Sequence, residues 1–88
     1  MIKTNVRGKI IEGTYAPDGE ILIVPNWSAN TSGFCIYICP NPKKVDKEGF
    51  PEVFDDWFEN FEGVKGQFDY EGWKVKWDKP GKKISWLN

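Results

Sequence analysis

The chain contains no histidine. The commonest general base near neutral pH and the commonest metal ligand are therefore both missing. Only two cysteines are present, Cys35 and Cys39, and two thiols without further soft ligands cannot complete a zinc site. The longest apolar run, residues 34–39, is far short of the roughly 20 residues of a spanning helix. The first eight residues carry Lys3 and Arg7 with no apolar stretch behind them, which argues against a secretory leader. These absences lead us to expect a cytoplasmic protein without metal, cofactor or membrane span.

Catalysis is also poorly served. Without histidine, serine and cysteine nucleophiles lack their usual activating partner. The stretch Lys79-Pro80-Gly81-Lys82-Lys83 lacks the first glycine and the final Ser/Thr of a phosphate-binding loop. No set of residues converges on a reaction, and a non-enzymatic protein is expected.

What the chain does hold is aromatic and apolar mass. Its 88 residues are 40% hydrophobic and 16% aromatic, with five Trp, which excludes disorder and fits one domain over residues 1–88. A domain this small buries only about 60–65% of its unfolded surface, so its core must be dense. The pattern places Trp57, Trp73, Trp77 and Trp86 on core faces. Trp27 lies in a polar connection, residues 25–33, and reads either as an interface anchor or as a ring folded over one end of a sheet.

Ala16-Pro17-Asp18-Gly19 carries turn chemistry at each position. Pairing Tyr15 with Ile21 and Gly13 with Ile23 then puts Ile11, Tyr15, Ile21 and Ile23 on one face. Residues 21–24 are apolar on both faces, as in a central strand. Residues 34–39 form a third strand, with Cys35, Tyr37 and Cys39 on one side. Residues four apart in a strand are roughly 13 Å apart, too far for a disulfide. Two reduced, packed thiols are expected, as suits a reducing cytoplasm.

Residues 51–61 read as the one helix. Pro51 suits a first turn, and Phe50, Val53, Phe54, Trp57, Phe58 and Phe61 recur at helical spacing, with Gly63 as the stop. Residues 64–70 read as a weak strand. Residues 73–78 alternate cleanly and pair, across a turn at 79–82, with residues 83–86. The expected fold is α+β: a curved, mostly antiparallel sheet of five to six strands, β-β-β-α-β-β-β, packed on a single amphipathic helix.

Charge is strongly segregated. Residues 1–45 sum to +2, residues 46–71 to −7 and residues 72–88 to +4. On the expected helix, Glu52, Asp55, Asp56, Glu59 and Glu62 align opposite the aromatic face with no cation between them. Like charges at such spacings cost roughly 0.2–0.5 kcal/mol per pair, and the helix dipole opposes the last two. That row reads as a docking surface for a basic protein partner; a solvated face is the plainer alternative. The protein would then be an inhibitor or antagonist, virus-encoded or immunity-type, of a nucleic-acid-handling partner. A competing reading takes Lys74, Lys76, Lys79, Lys82 and Lys83 as a nucleic-acid-binding ribbon; edge lysines that block aggregation are its plainer counterpart. A third reading is a ligand, such as a sugar, on Trp27 or an open sheet face. Segregated charge is also compatible with a homodimer joined acidic segment to basic.

Overall fold

The computed structural model describes residues 1–25, 33–81 and 83–86. Five strands and one helix follow in the order β1 (Gly8–Glu12), β2 (Glu20–Pro25), β3 (Phe34–Cys39), β4 (Phe54–Phe58), α1 (Phe61–Glu71) and β5 (Lys74–Trp77). The strands form one antiparallel sheet in the order β4-β3-β2-β1-β5. The α+β class, the antiparallel sheet and the single helix agree with the sequence reading, and the strand number is five.

β2 and β3 are the centre of the sheet. Their β-branched residues suit a pleated surface buried on both sides. Ile21 lies opposite Ile38 and Ile23 opposite Ile36, and all four are buried beneath the helix with Ile10, Val64, Phe68 and Trp73. Leu22, opposite Tyr37, points the other way. There it packs with Cys39 and Trp86, bordered by Val53 and Ile84. Trp86 is fixed by its indole N–H, which donates to Glu20 Oε1 at 2.6 Å. Both cysteines are free and buried.

The helix is displaced from its expected place. Residues 51–61 are not helical: 54–58 form edge strand β4, and α1 occupies 61–71, where a strand was expected over 64–70. The element order is therefore β-β-β-β-α-β. Several forces favour this outcome. Phe54, Trp57 and Phe58 are good strand formers, and β3 offers them a hydrogen-bonding ladder. A strand also spreads Glu52, Asp55, Asp56 and Glu59 along an extended backbone, which removes the like-charge contacts three and four residues apart that a helix would impose.

α1 holds two glycines and has little intrinsic propensity. Its ends and its burial sustain it. The Asn60 side chain caps the first turn by accepting the Gly63 N–H at 3.0 Å. Gly63 thus lies just inside the start of the helix and does not end it. Gly72 ends the helix in the left-handed region at φ 66°. Between the caps, Val64 and Phe68 are buried, and Phe61 meets Phe34 edge-on at 5.5 Å between ring centroids. The helix lies against β3 and β4, and the chain that leaves it returns to pair β5 with β1.

Two registers differ from expectation. Gly8, not Tyr15, lies opposite Ile21. The turn at 16–19 does form, with the Gly19 N–H donating to Ala16 O at 2.9 Å. The residues before it are drawn off the strand by the helix end. The Thr14 N–H donates to Glu71 O at 2.8 Å, and the Trp73 indole N–H to Tyr15 O at 2.8 Å. Ile10 therefore faces the core, while Ile11 and Tyr15 are exposed. Likewise β5 pairs with β1 and not with residues 83–86, with Gly8 opposite Trp77 and Ile10 opposite Val75. Gly8 permits this approach, because a Cβ there would collide with Val75 Cγ1.

Candidate protein-binding site: the acidic edge

β4 terminates the sheet beside β3, and its first four residues are all exposed. Register decides which way each side chain faces. Phe54 lies opposite Ile38, Asp56 opposite Ile36 and Phe58 opposite Phe34, so these three share the helix-covered side. Asp55 lies opposite Tyr37 and Trp57 opposite Cys35, on the side covered by Trp86. The expected row of Glu52, Asp55, Asp56, Glu59 and Glu62 is therefore not one helix stripe. Asp55 and Asp56 straddle an edge strand, Glu52 and Glu59 flank it, and only Glu62 belongs to a helix.

The carboxylates differ in their surroundings. Glu62 has Lys65 Nζ at 3.5 Å, both largely exposed, a pair worth little in water. Among the described residues, none of Glu52, Asp55, Asp56 or Glu59 has a cationic group within 4.0 Å. Asp56 Oδ1 accepts the backbone N–H of Trp57 at 3.0 Å. Phe54 and Trp57 were expected in the core, yet they are 46% and 43% exposed.

A cleft of about 290 Å³ opens between β4 and α1. Its floor includes Ile36 and Ile38, and Phe54 and Phe58 wall the strand side. Gln67 and Glu71 of the helix, with Tyr15, close the other side. The charged residues that line it, Asp55, Asp56 and Glu71, are all acidic. The Tyr15 phenol is held above its ordinary value of 10.0, first by burial and then by Glu52 and Glu71, so it stays a neutral donor. Tyr15, Gln67 and Glu71 were missed in the sequence. For Gln67 and Glu71 the one signal was the pair of caps, Asn60 and Gly72, bracketing Phe61, Val64 and Phe68 at helical spacing.

The opposite edge is organised differently. Arg7 binds Asp78 through Nε and Glu20 at 3.3 Å, and the Asp78 hydrogen bond is the main reason its pKa is raised. Lys74 reaches Glu12 at 3.4 Å. Lys74 and Lys76 share the outer face of β5 and are exposed, while Trp73 and Trp77 turn to the core; that separation matches the sequence reading. Lys79 and Lys83 are exposed, but Lys83 is not part of a hairpin. Lys82 and Trp27 lie outside the described residues.

Among the described residues the molecule is thus an antiparallel sheet with one helix packed on it, with an acidic, aromatic edge at β4 and a basic one at β5. The chain matches no protein-family model, no curated protein and no solved structure. Among the described residues no His/Cys/Asp/Glu group could hold a metal ion, and no helix is long and apolar enough to cross a membrane.

Proposed function

We propose that the chain is a small, non-enzymatic protein-binding module that presents its β4 edge to a basic surface of a partner. The observation that carries this reading is the set of carboxylates at Glu52, Asp55, Asp56 and Glu59. They lack countercharges among the described residues and border two exposed aromatic rings. Charge complementarity of this kind speeds encounter and fixes orientation, and the rings supply apolar area for affinity. Proteins that bind nucleic acid are the commonest carriers of extended basic surfaces. An inhibitor or antagonist of such a protein, of the virus-encoded or immunity type, is the role that fits best. The two buried thiols suit work in a reducing cytoplasm.

The test replaces Glu52, Asp55, Asp56 and Glu59 by Gln or Asn and compares capture from lysate, with identification of what is retained. Loss of a basic, nucleic-acid-handling protein from the variant's eluate is expected. Unchanged capture would overturn the reading.

One observation favours a second reading, a nucleic-acid-binding surface built on Lys74, Lys76, Lys79, Lys82 and Lys83. Lys76 lies opposite Lys9 across β1 and β5. Like charges directly opposite are destabilising, so stability does not account for them. This reading requires retention of nucleic acid in a filter assay that falls steeply with salt.

A further inference from the structure

Resting on the protein-binding reading above, we propose that the partner docks by adding an extended, basic segment as a sixth strand along β4. This segment would send one cationic side chain into the cleft between β4 and α1 and a second to the opposite face.

Among the described residues, β4 pairs with one strand, β3. The edge of a sheet presents outward N–H and C=O groups, and an extended peptide satisfies them by strand addition; at β4 the Trp57 N–H already donates to Asp56 Oδ1 at 3.0 Å, a bond that a guest carbonyl would have to replace. Among the described residues, no helix or strand lies beyond this edge. Its side chains also specify the guest. Cross-strand neighbours lie about 4.5–5.5 Å apart at Cβ, so each β4 residue selects the residue placed opposite it. Phe58 and Phe54 select apolar residues at the two ends. Asp56, at the rim of the cleft, selects a cation on the helix side. Its stem would cover the apolar floor at Ile36 and Ile38, and its head would reach Asp56 and Glu71. Asp55 selects a cation on the other side, next to the apolar position opposite Trp57. Read along the guest, the complement of Phe54-Asp55-Asp56-Trp57-Phe58 is apolar, basic, basic, apolar, apolar. The cleft of about 290 Å³ is at the lower limit of small-ligand sites, which suits a single long side chain and not a folded element.

The experiment titrates the full chain with the synthetic peptide acetyl-Thr-Val-Val-Arg-Arg-Val-Val-Thr-amide. This probe has the same apolar–basic pattern in both chain directions and so presupposes neither strand orientation. Amide NMR shifts report site and affinity together. The expected result is saturable shifts centred on β4 and the facing side of α1. N-methylation of at least one alternating set of peptide amides should weaken binding about tenfold or more, the effect of losing buried hydrogen bonds. Asp55→Asn/Asp56→Asn should weaken it comparably, and Lys74→Gln/Lys76→Gln should not.

Three results would overturn strand addition. The first is binding that neither methylated set affects, in which case the acids attract cations without a strand forming and the protein-binding reading stands. The second is shifts that map elsewhere, or none at millimolar peptide. The third is a β4 edge already occupied by β5 of a second copy, seen as salt-sensitive self-association in sedimentation. Failure of the protein-binding reading itself would appear separately, as partner capture indifferent to the four neutralising substitutions.

Discussion

The two edges of the sheet carry opposite charge, and they treat it in opposite ways. At the β5 edge some of the charges are used internally. Arg7 is held between Glu20 and Asp78, Lys74 meets Glu12, and the Trp77 indole donates to the backbone oxygen of Met1 at 2.8 Å. At the β4 edge, Glu52, Asp55, Asp56 and Glu59 have no countercharge among the described residues, and Phe54 and Trp57 remain exposed. Charges that neutralise one another across loops and strands hold a fold together. Charges left in water beside apolar rings do little for stability, so they are free to serve recognition. The contrast makes one edge a fastening and the other a candidate interface.

The largest effect is expected at the tail that fastens the sheet from beneath. Trp86→Ala would uncover Leu22 and Cys39 and release Glu20 Oε1 from the indole. A loss of about 3–5 kcal/mol is expected for removing a buried Trp, read as a fall in the urea midpoint. An unchanged midpoint would mean that the tail does not cover this face.

Next comes the fastened edge itself. Arg7→Ala removes two charge-assisted hydrogen bonds in a partly buried setting and should cost about 2 kcal/mol. Equal stability in the variant would dissolve the contrast between the edges.

A smaller effect is set by pH. Burial raises the thiols of Cys35 and Cys39 above 9.0. Tyr37 is raised above 10.0, mainly by its hydrogen bond to Cys35. These groups ionise earlier in the unfolded chain than in the folded one. Above pH 9 the unfolded state therefore binds fewer protons, and stability falls as pH rises. Denaturation profiles between pH 8 and 11 should show that decline, and Cys35→Ala should flatten it.

The smallest stability effect is expected at the open edge. Asp55→Asn/Asp56→Asn should change stability by no more than about 0.5 kcal/mol, or raise it slightly, while partner capture is lost. A large destabilisation would mean that these carboxylates act within the fold after all.

The sequence-level reading fared best where one local signal pointed one way. Residues 21–24 are apolar on both faces, and β2 is indeed the central strand. Phe34–Cys39 is β3 with the bounds expected, and its cysteines lie too far apart along the strand to bridge. Residues 73–78 alternate cleanly, and 74–77 of them form β5. The reading failed where two periods fitted one stretch. Residues 50–61 carry aromatics that satisfy helical spacing, yet 54–58 also suit a strand, and nothing local chooses between them. Glycines at 63 and 66 concealed the true helix, whose caps were legible in Asn60 and Gly72. The candidate site suffered accordingly: its acidic residues were recognised, but their arrangement was not.

By itself, then, the amino-acid order determined composition, segregated charge, the central strands and the separation of the thiols, because these depend on neighbours a few residues apart. Tertiary structure alone decided that residues 54–58 join β3, that β5 returns to β1 and that Trp86 crosses to the far face. Each of those choices is made by partners distant in the chain: an unfilled ladder on β3, space above Gly8, an uncovered Leu22. The acids at 55 and 56 became two faces of one edge only when that ladder claimed them.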